Sequence, residues 1–182
     1  MAKKENLKGK KIEELLSNLD STDTKVKIKA IKSLKVHGNE TIIEQLLEEL
    51  LTTTNAGVKL EIVDLLNTAK STKVPAKIAK ALTEKKFVPI RQVLLTTIWN
   101  SGLDYRPYLK EIITVGTEGE MMDAIECITI IENIEGELSE DQLFEPLIVL
   151  TEYIGSHKDE TGPKMDLLKE ITLTLQNRNN ML

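Results

Sequence analysis

Two histidines, one cysteine and one acid-rich stretch are the residues of this 182-residue chain whose types suit catalysis or metal binding. Neither His37 nor His157 has a second His, a Cys or a paired acid at the spacing that a metal site requires. Both read as loop or helix-end residues. Cys127 is the single thiol, so no intrachain disulfide forms, and this points to a reducing compartment, the cytoplasm. From Glu118 to Glu145 there are ten Asp or Glu and no Lys or Arg. Their order lacks the alternating acids and glycine of a calcium loop, so they read as a solvated face. The glycines do not gather into a phosphate-cradling loop. The expectation is a protein that is not an enzyme, with no catalytic residue, no metal and no cofactor.

Charge narrows the partners. The formal net charge is −5, yet residues 1–37 hold ten Lys against five acids. Residues 1–10 read as a basic disordered tail, and residues 11–182 as one domain. Met1, Lys11 and the residues between them contain five Lys and no apolar run, so they read as neither a signal peptide nor an anchor. No stretch approaches the roughly 18 apolar residues of a membrane span. Lys25, Lys29, Lys32 and Lys35 form a basic stripe, but Trp99 is distant from it in the chain. An acidic protein repels phosphate over most of its surface, which argues against nucleic acid.

The element that positions everything is a repeat. Cutting at Leu19, Leu51, Thr83 and Val115 leaves four segments of 32 residues without a gap. Within them recur an apolar column (Val26, Val58, Ile90, Met122) and a later one (Leu34, Leu66, Ile98, Ile130). The residue after each member of the first column is Lys27, Lys59, Arg91 or Asp123. A period of this length indicates stacked two-helix units. Apolar spacing of i, i+3, i+4 and i+7 predicts ten helices, beginning with 11–19 and 24–36. Later ones open at Pro75 and Pro89 and after Asp104. One covers 120–133. Another starts at a Ser139/Gln142 capping box and carries Pro146 as a kink, and the last follows Gly162-Pro163. No segment alternates with the period of a strand. The fold class is all-α, with about five antiparallel helix pairs.

The pairs Val26-Lys27, Val58-Lys59 and Ile90-Arg91, followed by Ala30, Ile31 and Leu34 or their equivalents, resemble HEAT repeats. Pro146 in a first helix resembles that family too. The likeness spans about residues 11–178. The units are compact for HEAT repeats, only the first has Asp (Asp20) at the inter-helix turn, and the fourth has Asp123 where a cation is expected. The resemblance implies a right-handed α-α superhelix, a HEAT-like or armadillo-like solenoid whose second helices line a concave face and bind another protein. It implies no chemistry. Iron-binding HEAT hydroxylases use His-Glu pairs, absent here. HEAT-like DNA glycosylases use a basic groove with aromatics and a placed carboxylate. The Trp, Gly, Tyr and Pro signature of tetratricopeptide repeats is missing.

On that reading the partner-binding face carries Lys32 and Lys35 at its start, then Gln92 and Trp99, then Ile128 and Ile131. An apolar patch with a Trp and an acidic rim suits a basic, partly apolar polypeptide segment. The expected function is a scaffold or adaptor. The alternative is a structural element that self-assembles head to tail, basic first repeat to acidic fourth. Glu126 falls in the core column of Ala30, Ile62 and Leu94, where a bare carboxylate is costly. Either the helix carrying it is rotated, which would also account for Asp123, or Glu126 meets a cation. Cys127 sits in the column of Ile31, Val63 and Leu95, as a small apolar group.

Overall fold

The computed structural model describes residues 2–179, with side-chain detail for residues 9–178. Ten α-helices, joined by short 3-10 turns and loops, make up the described residues, and no strand occurs among them. They are α1 (Ala2–Ser17), α2 (Thr24–His37), α3 (Ile43–Thr52), α4 (Ala56–Asn67), α5 (Val74–Thr83), α6 (Arg91–Asn100), α7 (Leu109–Glu118), α8 (Met121–Asn133), α9 (Glu140–Ser156) and α10 (Pro163–Asn179).

The helix starts are written in the sequence as capping oxygens. Asp23 Oδ1 accepts from the Lys25 N–H at 2.8 Å, and Asn55 Oδ1 accepts from Gly57 and Val58 at 2.9 and 3.1 Å. Ser139 and Gln142 close the expected capping box on α9, and Glu120 and Asp123 form a second one on α8. The stops are local too. Gly102 follows α6 at φ 64°, the left-handed region that a side chain resists. Pro89 lies in a 3-10 turn, Lys85–Ile90, ahead of α6 rather than inside it. α9 runs through Pro146 to Ser156.

The stretch read as a disordered basic tail is helical from Ala2 onward. Lys, Glu, Leu and Ala all favour helix, and lengthening an existing helix needs no new nucleus. The stretch read as one domain forms two compact units, one ending at Lys77 and one beginning at Ile78. No linker marks the division because it falls within the continuous helix α5.

In the first unit, α2 packs on α1 and α4, and α3 packs on α4. Ile31, Leu34, Leu46, Leu47, Ile62 and Leu66 are among its large, fully buried side chains. In the second unit, α8 packs between α6 and α10, while α9 packs on α7 and α10. Thus successive second helices, α6, α8 and α10, are neighbours. The late apolar column is buried at all four positions, Leu34, Leu66, Ile98 and Ile130. Each such burial stabilises by about 1.5–3 kcal/mol. The early column holds only at Val58 and Ile90; Val26 and Met122 are exposed.

Candidate functional site

The site begins with the turn of α8 about its own axis. Its buried residues are Asp123, Ala124, Cys127, Ile130 and Ile131, not the set aligned with Ile90 and Leu94. The inward face has moved on by about one residue, which is about 100° on a helix of 3.6 residues per turn. The movement places Asp123 inside and Met122, half-exposed at 50 %, outside.

Charge accounts for the turn. Arg91 on α6 reaches Asp123 Oδ2 at 3.6 Å, and Gln92 Nε2 donates to Asp123 Oδ1 at 3.3 Å. The Glu120 N–H donates to the same carboxylate at 3.0 Å. The acid at the fourth position of the cation column is therefore the counter-ion of the cation at the third. Behind it Cys127 lies against Gly116 of α7, and its Sγ donates to the Ile112 carbonyl at 3.1 Å. Burial pushes the Cys127 thiol far up, and Asp123 adds to the effect. A thiol held protonated in this way is no nucleophile.

With α8 turned, Glu126 is half-buried and meets no cation among the described residues. Instead it accepts the Trp99 indole N–H at 3.0 Å. This bond fixes the ring of Trp99, 40 % exposed, between the last turn of α6 and the middle of α8. The outward stripe of α8 is then Met122, Ile125, Glu126 and Thr129, none of them buried.

Of the six residues expected on a partner-binding face, Lys32 and Lys35 belong to the first unit. Lys32 is paired with Glu61 at 3.1 Å, and Lys35 with Asp64. Gln92, Trp99 and Ile128 lie in the second unit, Gln92 and Trp99 exposed and Ile128 half-buried. Ile131 is 0 % exposed, which removes it from any open face. The turn of α8 is the reason. Sequence reasoning missed Glu126 as the partner of Trp99, and its misfit in an apolar column was the signal. Lys27 and Arg91 bridge helices, Lys27 donating to Glu49 at 2.7 Å and Arg91 reaching Asp123, while Lys59 is exposed.

At the ends of α6 and α8 an open cleft of about 390 Å³ adjoins Trp99. Its far side is braced by Arg106, which donates to both Asp104 oxygens at 2.8 and 2.9 Å and to the Glu137 carbonyl at 3.1 Å. That guanidinium holds the Asp104 carboxyl below the usual carboxylate range, partly offset by burial. Tyr105 lines the same cleft, and burial pushes its phenol well up. Among the described residues no three of His, Cys, Asp and Glu gather in a group that could hold a metal ion. No described helix is long and apolar enough to cross a membrane.

These residues set a part-exposed indole beside a carboxylate on an all-helical chain. No protein-family model matches the chain, and no curated protein matches it in sequence.

Proposed function

We propose that the chain is a non-catalytic binding module that holds a basic, partly apolar polypeptide segment on the outward face of α6 and α8. The observation that carries this reading is Trp99. A large ring stays part-exposed while its one polar atom is already bonded to Glu126, so the ring is pre-oriented for contact. Binding hot spots are enriched in Trp. Met122 and Ile125 extend the apolar area along α8.

Charge selects the partner. The second unit carries ten Lys or Arg against eighteen Asp or Glu, a net of −8. The finer architecture in this proposal is a HEAT-like right-handed superhelix with the second helices lining its concave side. The 32-residue period and the adjacency of α6, α8 and α10 support it.

The test is removal of the indole. Affinity purification of the tagged chain identifies the partner, and Trp99→Ala then weakens the purified pair by about 2 kcal/mol or more. Helix content by circular dichroism stays the same. Unchanged affinity would remove the groove. A second reading, head-to-tail self-assembly, draws on the first unit's opposite sign, fourteen Lys or Arg against eleven Asp or Glu, a net of +3.

A further inference from the structure

The cleft beside Trp99 is formed by Ile98 and Trp99 from α6, Leu103 and Tyr105 from the next loop, and Asn133 and Glu135 from the end of α8. Its walls mix polar and apolar surface, and Asn133 and Glu135 add acceptors to it. Asn133 Nδ2 donates to the Thr129 carbonyl at 2.8 Å, which leaves its Oδ1 unused. Glu135 is exposed and forms no ion pair or hydrogen bond with the described residues. The one cation of the wall, Arg106, has its Nε and both terminal nitrogens committed to Asp104 and Glu137.

The backbone adds to the same sign. α6 ends at Asn100 and α8 at Asn133, so two helix C-termini, each partially negative, meet the cleft. Arg178 of α10 already sits at one of them, donating to the carbonyls of Ile131 and Ile134 at 3.1 and 2.9 Å.

We propose that the cleft seats the guanidinium of an arginine side chain, stacked on the Trp99 ring and paired with Glu135. The proposal rests on the polypeptide-binding reading above and names the side chain that the segment inserts. A flat, aromatic-walled opening with a carboxylate at its rim suits a planar donor fork better than the compact, strongly hydrated ammonium of lysine.

Because Trp99 is the only tryptophan, its indole N–H gives one unambiguous resonance in a nitrogen-15 spectrum of the full chain. Titration with N-acetyl-arginine amide shifts that resonance saturably, with a dissociation constant in roughly the millimolar range. N-acetyl-citrulline amide, equal in shape but uncharged, leaves it in place. Glu135→Gln, a change on an exposed loop residue, weakens the arginine probe by about tenfold. An unmoved indole, an equal response to citrulline, or full binding by Glu135→Gln overturns the assignment. An equal or stronger response to N-acetyl-lysine amide overturns the choice of guanidinium. If Trp99→Ala releases the purified partner but the indole ignores the arginine probe, the cleft assignment alone falls. If the indole answers arginine while Trp99→Ala leaves the partner bound, the polypeptide reading falls and the cationic cleft stands.

Discussion

At Gly116 a single missing methyl group decides how closely α7 and α8 approach. A Cβ built there would lie 2.8 Å from the Cys127 Sγ and 3.2 Å from its Cβ, both fully buried. Neither atom has room to yield, because the thiol also donates to the Ile112 carbonyl. Gly116→Ala is therefore an overpacking change and lowers stability by about 1–3 kcal/mol. Gly155, near the end of α9, is the internal control. Nothing lies within 4 Å of its added Cβ, and it is exposed within a helix. Gly155→Ala stabilises by about 0.5–1 kcal/mol, through the lower conformational entropy of the unfolded chain. Paired urea melts read both signs. A Gly116→Ala protein as stable as the parent would mean that the α7–α8 seam is looser than described.

At the scale of the helix, α8 is set by one ion pair between neighbouring second helices. Asp123 is nearly buried, and Arg91 is its only cationic partner among the described residues. Arg91→Ala leaves that carboxylate without its cation, with only the Gln92 and Glu120 donors, and costs on the order of 3 kcal/mol, while Arg91→Ala with Asp123→Ala costs less than the two single changes together. A double-mutant cycle showing no coupling would mean that packing alone turns the helix. The same pair explains what the sequence could convey. Apolar spacing and capping oxygens are local, so α2 and α8 were legible to within a residue or two, as was the late column through Leu34 and Ile130. The rotation of α8 was not. It depends on Arg91 and Asp123 meeting 32 positions apart, and a column alignment treats each segment as a copy of the last. For that reason Ile131 was expected outside and is inside, while Met122 was expected inside and is outside. Glu126 carried half of the answer, since its misfit named the helix that turns but not the indole that waits for it. The cleft was invisible for a simpler reason: Tyr105, Asn133 and Glu135 belong to no repeat column, and two helix ends bring them together.

At the scale of the molecule, the uneven charge makes binding a function of salt. The second unit's net of −8 acts over a range set by screening, about 30 Å at 0.01 M salt and about 8 Å at 0.15 M. An arginine-bearing segment is therefore drawn in from a distance at low salt and only at close range under physiological conditions. Once it is seated, contacts with Trp99 and Glu135 lie within a few ångströms, where screening matters little. The association rate for the purified partner should fall by about tenfold or more between those two salt concentrations, while the dissociation rate changes by less than about twofold. Stopped-flow tryptophan fluorescence separates the two rates. A dissociation rate that rises with salt as steeply as association falls would mean that rim charges, not the Trp99 contact, hold the complex. Sedimentation of the chain alone over the same salt range decides the second reading. If the +3 first unit docks on the −8 second unit of another copy, the chain associates at 0.01 M salt and dissociates at 0.15 M, with no partner present. A single salt-independent species leaves the acidic face open for a different polypeptide.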